Sequence, residues 1–153
     1  MVPLDGSELA ECVIPFIKDF IGQGQVESIV FVRVIKPVIN VSSLVDDSTY
    51  MSMDWVRIGS LKKAQAEEYL KKVVDQFNQH AVDLKSEVLV GRIGDSLIDY
   101  INSNNFDLVV IASHGRSGLA RWVRGSTADK ILSGSHIPVL MIRAPGTIQE
   151  VQE

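Results

Sequence analysis

The most constraining feature of this sequence is a repeated alternation between strand-like and helix-like apolar patterns. Residues 28–35 (SIVFVRVI) and 108–112 (LVVIA) are apolar at nearly every position and rich in β-branched side chains, which is typical of strands buried on both faces. Residues 61–81 instead carry apolar side chains at helical spacing, with lysines and glutamates between them. Strands that alternate with helices predict an α/β fold, in which helices cover both faces of a parallel sheet.

The rest of the chain continues this alternation. Strands are predicted at residues 1–4, 28–35, 87–90, 108–112 and 139–143. Helices are predicted to begin at Ser7, at residue 61, at Asp95 or Ser96, and at Thr127. Pro15 should kink the first helix or delay its start, because proline lacks a backbone N–H. We expect a single domain of residues 1–153, with a core of residues 1–143 and a tail of residues 144–153.

Composition limits the class of protein. A content of 46% hydrophobic and 22% charged residues in 153 is typical of a globular domain with a substantial core. The formal net charge of −4 argues against nucleic-acid binding, which needs a basic face. Cys12 is the single cysteine, so no disulfide forms within the chain. With no bilayer-length apolar run and no signal-peptide pattern in MVPLDGSELAE, we expect a cytoplasmic protein without membrane contact.

The segment after the fourth predicted strand, ASHGRSGLARWVRGSTADKIL (residues 112–132), has the composition of an anion-binding loop. In parallel sheets, ligands bind outside the carboxyl ends of the strands. Glycines here permit close approach of the backbone, and Gly125-Ser126-Thr127 stands where a helix begins, so unpaired N–H groups face a ligand. Positive charge comes from Arg116, Arg121 and Arg124.

Two common phosphate-binding patterns are absent. The sequence has no G-x-x-x-x-G-K-[ST], and no G-x-G-x-x-G follows the first strand. These absences argue against a kinase, a P-loop ATPase and an ordinary dinucleotide enzyme. His114 has no evident carboxylate or nucleophile partner in the sequence, so we predict no catalytic residue.

The loop instead resembles the nucleotide loop of the universal stress proteins. The ATP-binding pattern of that family is Gly, two residues, Gly, nine residues, Gly, then Ser or Thr. Gly115, Gly125 and Ser126 match its last three positions, and Ala112 stands at the first. The start VPLDGSELAE and the ending IPVLMI resemble the first and last strands of the family, although the first strand is shorter here.

This resemblance implies a fold and a ligand. The fold is an open five-stranded parallel sheet of order 3-2-1-4-5, Rossmann-like, and the ligand is ATP, accompanied by Mg²⁺ or Mn²⁺ and without a dedicated metal site in the protein. Asp5, with Pro3 and Leu4, matches a contact to adenosine and ribose, and Val34 matches an adenine-side contact. The remaining implied nucleotide-binding residues are Ile111, Ala112, Gly115, Arg116, Gly125, Ser126 and Thr127.

The resemblance also implies a homodimer through the last strand. Val139, Leu140, Met141 and Ile142 are apolar, and no charge precedes Arg143. An apolar strand at a sheet edge invites pairing with another chain. A tail folded over this edge is the alternative.

Several interpretations stay open at this level. Asp5 caps the first helix or contacts the ligand, and the glycine loop is a nucleotide site or a plain strand-to-helix turn. The segment of residues 37–60 is longer than an ordinary connection between a strand and a helix. This length favours a lid or a partner-binding surface. Three functions follow: an ATP-binding regulatory stress protein with a protein partner of unknown identity, a partner-binding stress protein without nucleotide, and a slow ATPase.

Overall fold

The computed structural model describes residues 1–24, 26–38, 49–113 and 126–144, apart from the side chains of residues 49–56 and 126. In these ranges the strands are β1 (Val2–Pro3), β2 (Ser28–Ile35), β3 (Asp83–Val90), β4 (Val109–Ser113) and β5 (Val139–Arg143). The helices are α1 (Glu8–Glu11), α2 (Ile14–Gly22), α3 (Thr49–Asp75), α4 (Ile93–Asn102) and α5 (Ser126–Gly134). The predicted alternation is confirmed.

The first helix breaks at the proline. Ser7 caps α1, since its Oγ accepts a hydrogen bond from the Ala10 N–H at 3.1 Å. Pro15 lies in the first turn of α2, where a missing N–H removes no intrahelical bond. The single kinked or delayed helix that we predicted is therefore two helices. Gly24, at φ +69°, then turns the chain after α2.

The strands form two parallel sheets rather than one five-stranded sheet. One has the order β1-β2-β3 and the other is β4-β5. Met1 links them: its amine donates to the Leu108 carbonyl at 2.8 Å, and its carbonyl accepts from the Val110 N–H at 3.0 Å. The predicted continuous order 3-2-1-4-5 is not confirmed, because β1 has two residues and its described backbone link to β4 rests on Met1.

Helices cover both sides of these sheets, as predicted. On one side, Phe31 of β2 and Val110 of β4 pack with α1, α2 and α3 around the buried Leu70 and Phe77. On the other side, Val32 is in the same buried cluster as residues of α4 and α5. Adjacent residues of a strand point to opposite faces, so β2 and β4 each contribute to both layers of core.

Candidate functional site

A cavity of about 210 Å³ lies at the carboxyl ends of β1 and β4, where the two sheets meet. Its described lining residues are Pro3, Leu4, Asp5, Ala10, Val32, Val34, Ile93, Leu97, Ile111, Ala112, Thr127 and Ala128. Strands β1, β2 and β4 supply one wall, and α4 and α5 supply the facing wall. This is the edge of a parallel α/β fold at which ligands characteristically bind.

Most of the predicted site residues meet in this cavity. Those that line it are Pro3, Leu4, Asp5, Val34, Ile111, Ala112 and Thr127. Ser126 begins α5, but its side chain is outside the described part of the chain. Gly115, Arg116 and Gly125, which we predicted to contact phosphate, also fall outside the described residues. The described part of the predicted site thus comprises the residues implied for adenosine and ribose together with Ala112 and Thr127.

Several lining residues were not among the predicted site residues. Val32 is in β2 two residues before Val34, so strand alternation places both on one face. Ile93 and Leu97 are four residues apart in α4, a helical spacing that puts both on the side facing the cavity. Ile93 was not recognised as a residue of this helix face because we predicted α4 to start later, at Asp95 or Ser96. In the structure the helix begins at Ile93.

Asp5 is held by the turn that follows β1. Its Oδ1 accepts hydrogen bonds from the Ser7 N–H at 2.8 Å and from the Ser7 Oγ–H at 2.6 Å. Ser7 is the residue that caps α1, so Asp5 supports the cap without being the cap itself. Among the described residues, Asp5 makes no bond through Oδ2. Within these residues, the hydrogen bonds of the Asp5 side chain leave Oδ2 unused.

The β2 backbone also presents polar groups to this cavity. The Val32 carbonyl accepts from the Leu4 N–H at 2.8 Å, so the backbone groups of Val32 face β1. Alternate residues of a strand present their backbone groups to the same side, so those of Val34 face that side as well. β1 ends at Pro3. The Val34 N–H and C=O therefore lie beside the space that β1 leaves at its end.

An ion pair fixes the α4–α5 wall. Lys130 Nζ lies 2.7 Å from Asp95 Oδ1, and both side chains are about half exposed. The hydrogen bond and the positive charge of Lys130 lower the pKa of Asp95. Gly94 permits this close approach, since a Cβ at that position would lie 2.5 Å from Lys130 Cδ. The pair joins the two helices that carry Leu97 and Thr127.

Two of the described lining residues have polar side chains. Asp5 supplies a carboxylate and Thr127 a hydroxyl, and the other side chains of the described lining are apolar. The start of α5 adds backbone N–H groups and the positive end of a helix dipole. No group of three or more His, Cys, Asp or Glu side chains gathers in a metal-binding arrangement in the residues that the structure describes. An apolar ring system with a polar, anionic end fits this lining.

Comparison with known proteins identifies the family. The family model described as "Universal stress protein family" matches residues 1–143. The chain belongs to the universal stress protein family. The recognition of the family from the sequence is thereby confirmed.

Individual relatives of this universal stress protein match over part of their lengths. Universal stress protein MJ0531 of Methanocaldococcus jannaschii is 30% identical over 106 residues, which cover 67% of this chain and 62% of the relative. Universal stress protein Slr1230 of Synechocystis is 37% identical over 60 residues, or 39% of this chain and 21% of the relative. The chain thus matches less than two thirds of each of these relatives.

Solved structures of universal stress proteins share the fold. The Lactobacillus plantarum protein UspA gives a TM-score of 0.71 at 18% identity, covering 93% of this chain and 94% of that one. A universal stress protein in complex with cAMP gives 0.63 at 17% identity, with 94% of each chain covered. An Arabidopsis thaliana family protein with AMP bound gives 0.62 at 15% identity, covering 95% and 91%.

The helices of the described ranges include none that is both long enough and apolar enough to cross a membrane. The longest, α3, has 27 residues, and its second half carries alternating lysines and glutamates on its outer side. These include the exposed pairs Lys63–Glu67 and Lys72–Glu68.

Proposed function

We propose that this protein is an adenine-nucleotide-binding stress protein that takes ATP at the cavity between the two sheets. The observation that carries the proposal is the convergence of Asp5, Val34, Ala112 and Thr127 on one cavity, although they come from four separate parts of the chain. The cavity lies where nucleotides bind in parallel α/β folds. Neighbours of the same fold hold AMP and cAMP, which supports this ligand class.

The size of the cavity suits the nucleoside part of the ligand. Sites for small molecules commonly enclose roughly 300–1,000 Å³, whereas this one has about 210 Å³. Adenine and ribose are therefore proposed to occupy the apolar space between Val34 and Leu97. The phosphates extend toward the start of α5, Gly115 and Gly125, the positions that match the family pattern.

Each end of the cavity offers a contact of suitable chemistry. The Val34 backbone provides one donor and one acceptor to the edge of a base, and Asp5 Oδ2 accepts hydrogen bonds from ribose hydroxyls. The N-terminus of α5 and the Thr127 hydroxyl favour an anion. A Mg²⁺ or Mn²⁺ ion would be held mainly by the phosphates, with Asp5 as the carboxylate of the described lining, a ligand pattern that Mg²⁺ accepts.

The proposed function includes a homodimer through β5. The Val109 N–H donates to the Pro138 carbonyl at 3.0 Å, and the Ala144 N–H donates to the Ser113 carbonyl at 3.3 Å. Even-numbered residues of β5 therefore direct their backbone groups toward β4, and Val139, Met141 and Arg143 direct theirs outward. Pairing of this edge with its own copy gives a closed two-fold dimer. Nucleotide occupancy would then be read by a partner through the dimer.

The test is whether the purified protein carries or binds adenine nucleotide. We expect excess absorbance near 260 nm, the region in which the base absorbs. Denaturation should release the nucleotide, and chromatography should identify it. Added ATP should bind, and GTP should bind more weakly because its base edge presents the opposite donor and acceptor. Equal binding of ATP, GTP and inorganic triphosphate would contradict the placement of the base. Phosphate release during the same incubation tests the slow ATPase.

A further inference from the structure

Arg33 occupies an unusual position behind the Asp5 turn. It lies in β2 between Val32 and Val34, but its side chain points to the opposite face of the strand, away from the cavity side chains of its neighbours. Its guanidinium is stacked on the ring of Tyr69, with Cζ 4.8 Å from the ring centroid. Such cation–aromatic stacking is favourable and fixes the plane of the guanidinium.

The same guanidinium also covers Gly6. A Cβ built on Gly6 would lie 3.0 Å from Nη2, 3.1 Å from Nη1 and 3.2 Å from Cζ of Arg33. These nearly equal distances show that the plane of the guanidinium faces the glycine. Gly6 also has φ +88°, a backbone conformation that side chains rarely adopt. Arg33 thus lies against both the Tyr69 ring and the turn that carries Asp5.

Tyr69 is itself anchored. Its hydroxyl donates to Glu11 Oε1 at 2.9 Å, which joins α3 to the last residue of α1. Burial and this hydrogen bond raise the pKa of Tyr69, so the hydroxyl keeps its proton and remains a donor. The Tyr69 ring that contacts Arg33 is therefore anchored through its hydroxyl group.

No ion pair joins Arg33 to Asp5 in the described part of the chain, and the guanidinium lies against the turn at Gly6. We propose that Arg33 is a positioning residue for nucleotide binding: it clamps the Asp5-Gly6-Ser7 turn against Tyr69 and so holds Asp5 at the cavity wall. This inference rests on the proposed function. It assigns to that function a residue that lines no part of the cavity.

The test is a double-mutant cycle measured by calorimetric titration of ATP. Arg33→Met keeps an unbranched apolar stem over Tyr69 but removes the planar group, and should weaken ATP binding about tenfold, within the usual range of coupling between contacting residues. Arg33→Lys should bind ATP almost as weakly as Arg33→Met, because an ammonium has no planar group to stack. In the Asp5→Asn background, Arg33→Met should cause almost no further loss of ATP affinity, since both substitutions act through the Asp5 carboxylate.

Lys18→Met is the matched control, since Lys18 Nζ lies 5.6 Å from the Phe77 ring centroid, in a cation–aromatic contact away from the cavity. It should leave ATP affinity unchanged. Additive losses in the cycle, or an Arg33→Met variant with wild-type affinity, would overturn the positioning role and leave the proposed function standing. A wild-type protein that does not bind ATP would overturn both.

Discussion

The Ser7 hydroxyl donates a 2.6 Å hydrogen bond to Asp5 Oδ1, so the residue that caps α1 also orients a carboxylate of the cavity. The same hydroxyl accepts from the Ala10 N–H, and Ala10 lines the cavity too. Helix capping and ligand contact are therefore not alternatives for this turn. Ser7 caps the helix, and within the described residues Asp5 makes its hydrogen bonds through Oδ1 alone, which leaves Oδ2 for the proposed ligand contact.

This division of roles predicts the effect of Asp5→Asn. The amide oxygen can still accept from the Ser7 N–H, so we expect only a small fall in the melting temperature of the free protein. The lost charge should weaken ATP binding by roughly 10- to 100-fold, the usual value of a hydrogen bond to an ionised group. Calorimetry and thermal unfolding measure the two effects. Asp19→Asn, on the exposed side of α2, is the control. A large loss of stability with unchanged affinity would show that Asp5 serves the fold alone.

The Asp95–Lys130 pair predicts a local pH dependence. Because the pKa of Asp95 is lowered in the folded protein, the pair stabilises the fold above the unfolded-state pKa of about 3.9 and loses this contribution as the pH falls through the folded pKa. The pair is exposed, so high salt should weaken it. Lys130→Met should raise the Asp95 pKa in an NMR titration, whereas Lys63→Met should not. An Asp95 pKa that Lys130→Met leaves unaltered would refute the assignment.

The backbone alternation of β5 predicts which proline substitution will separate the proposed dimer. Met141→Pro removes an outward N–H and leaves the ladder to β4 intact, so the fold should survive and light scattering should report a monomer. Leu140→Pro removes an inward N–H, and it should destabilise the β4–β5 pair instead. A wild-type chain that is monomeric at high micromolar concentration, or a folded Met141→Pro dimer, would exclude this interface.

The strongly patterned elements were predictable from the sequence. The residues of β2 and β5 match the predicted ranges 28–35 and 139–143, because apolar β-branched runs leave few alternatives. β3 is longer than predicted, from Asp83 instead of residue 87. Its first half is polar, which an edge strand of the three-stranded sheet tolerates because part of it faces solvent.

The start of α3 was not predictable from periodicity. We expected a helix from residue 61 after a long connection of residues 37–60, but α3 begins at Thr49. Gly59 interrupts the pattern, at a cost of about 1 kcal/mol relative to alanine in a helix. Residues 39–48 lie outside the described part of the chain, so the lid and the partner surface that we considered for residues 37–60 stay predictions.

The position of the candidate site at the strand ends was predictable for a different reason. Asp5 follows the first predicted strand and Ala112 ends the fourth, and strand ends converge in a parallel fold. Leu97 and Ala128 were not predicted because apolar side chains on helices resemble ordinary core positions in a sequence. Their role as cavity walls depends on how closely α4 and α5 approach each other. Gly94 leaves room for Lys130, and Lys130 pairs with Asp95 across the two helices.

The most direct test of the account is calorimetric titration of ATP into the wild-type protein and into Ala112→Val. Valine adds two methyl groups at a residue that lines the cavity, in a strand position that favours a β-branched side chain, so ATP binding should be lost while the fold is retained. Ala81→Val, an exposed site before β3, is the matched control and should bind as the wild type does. Saturable binding of one ATP per chain in the wild type, abolished by Ala112→Val, is the predicted result. Absence of ATP binding in the wild type, or equal affinity in a folded Ala112→Val variant, would contradict it.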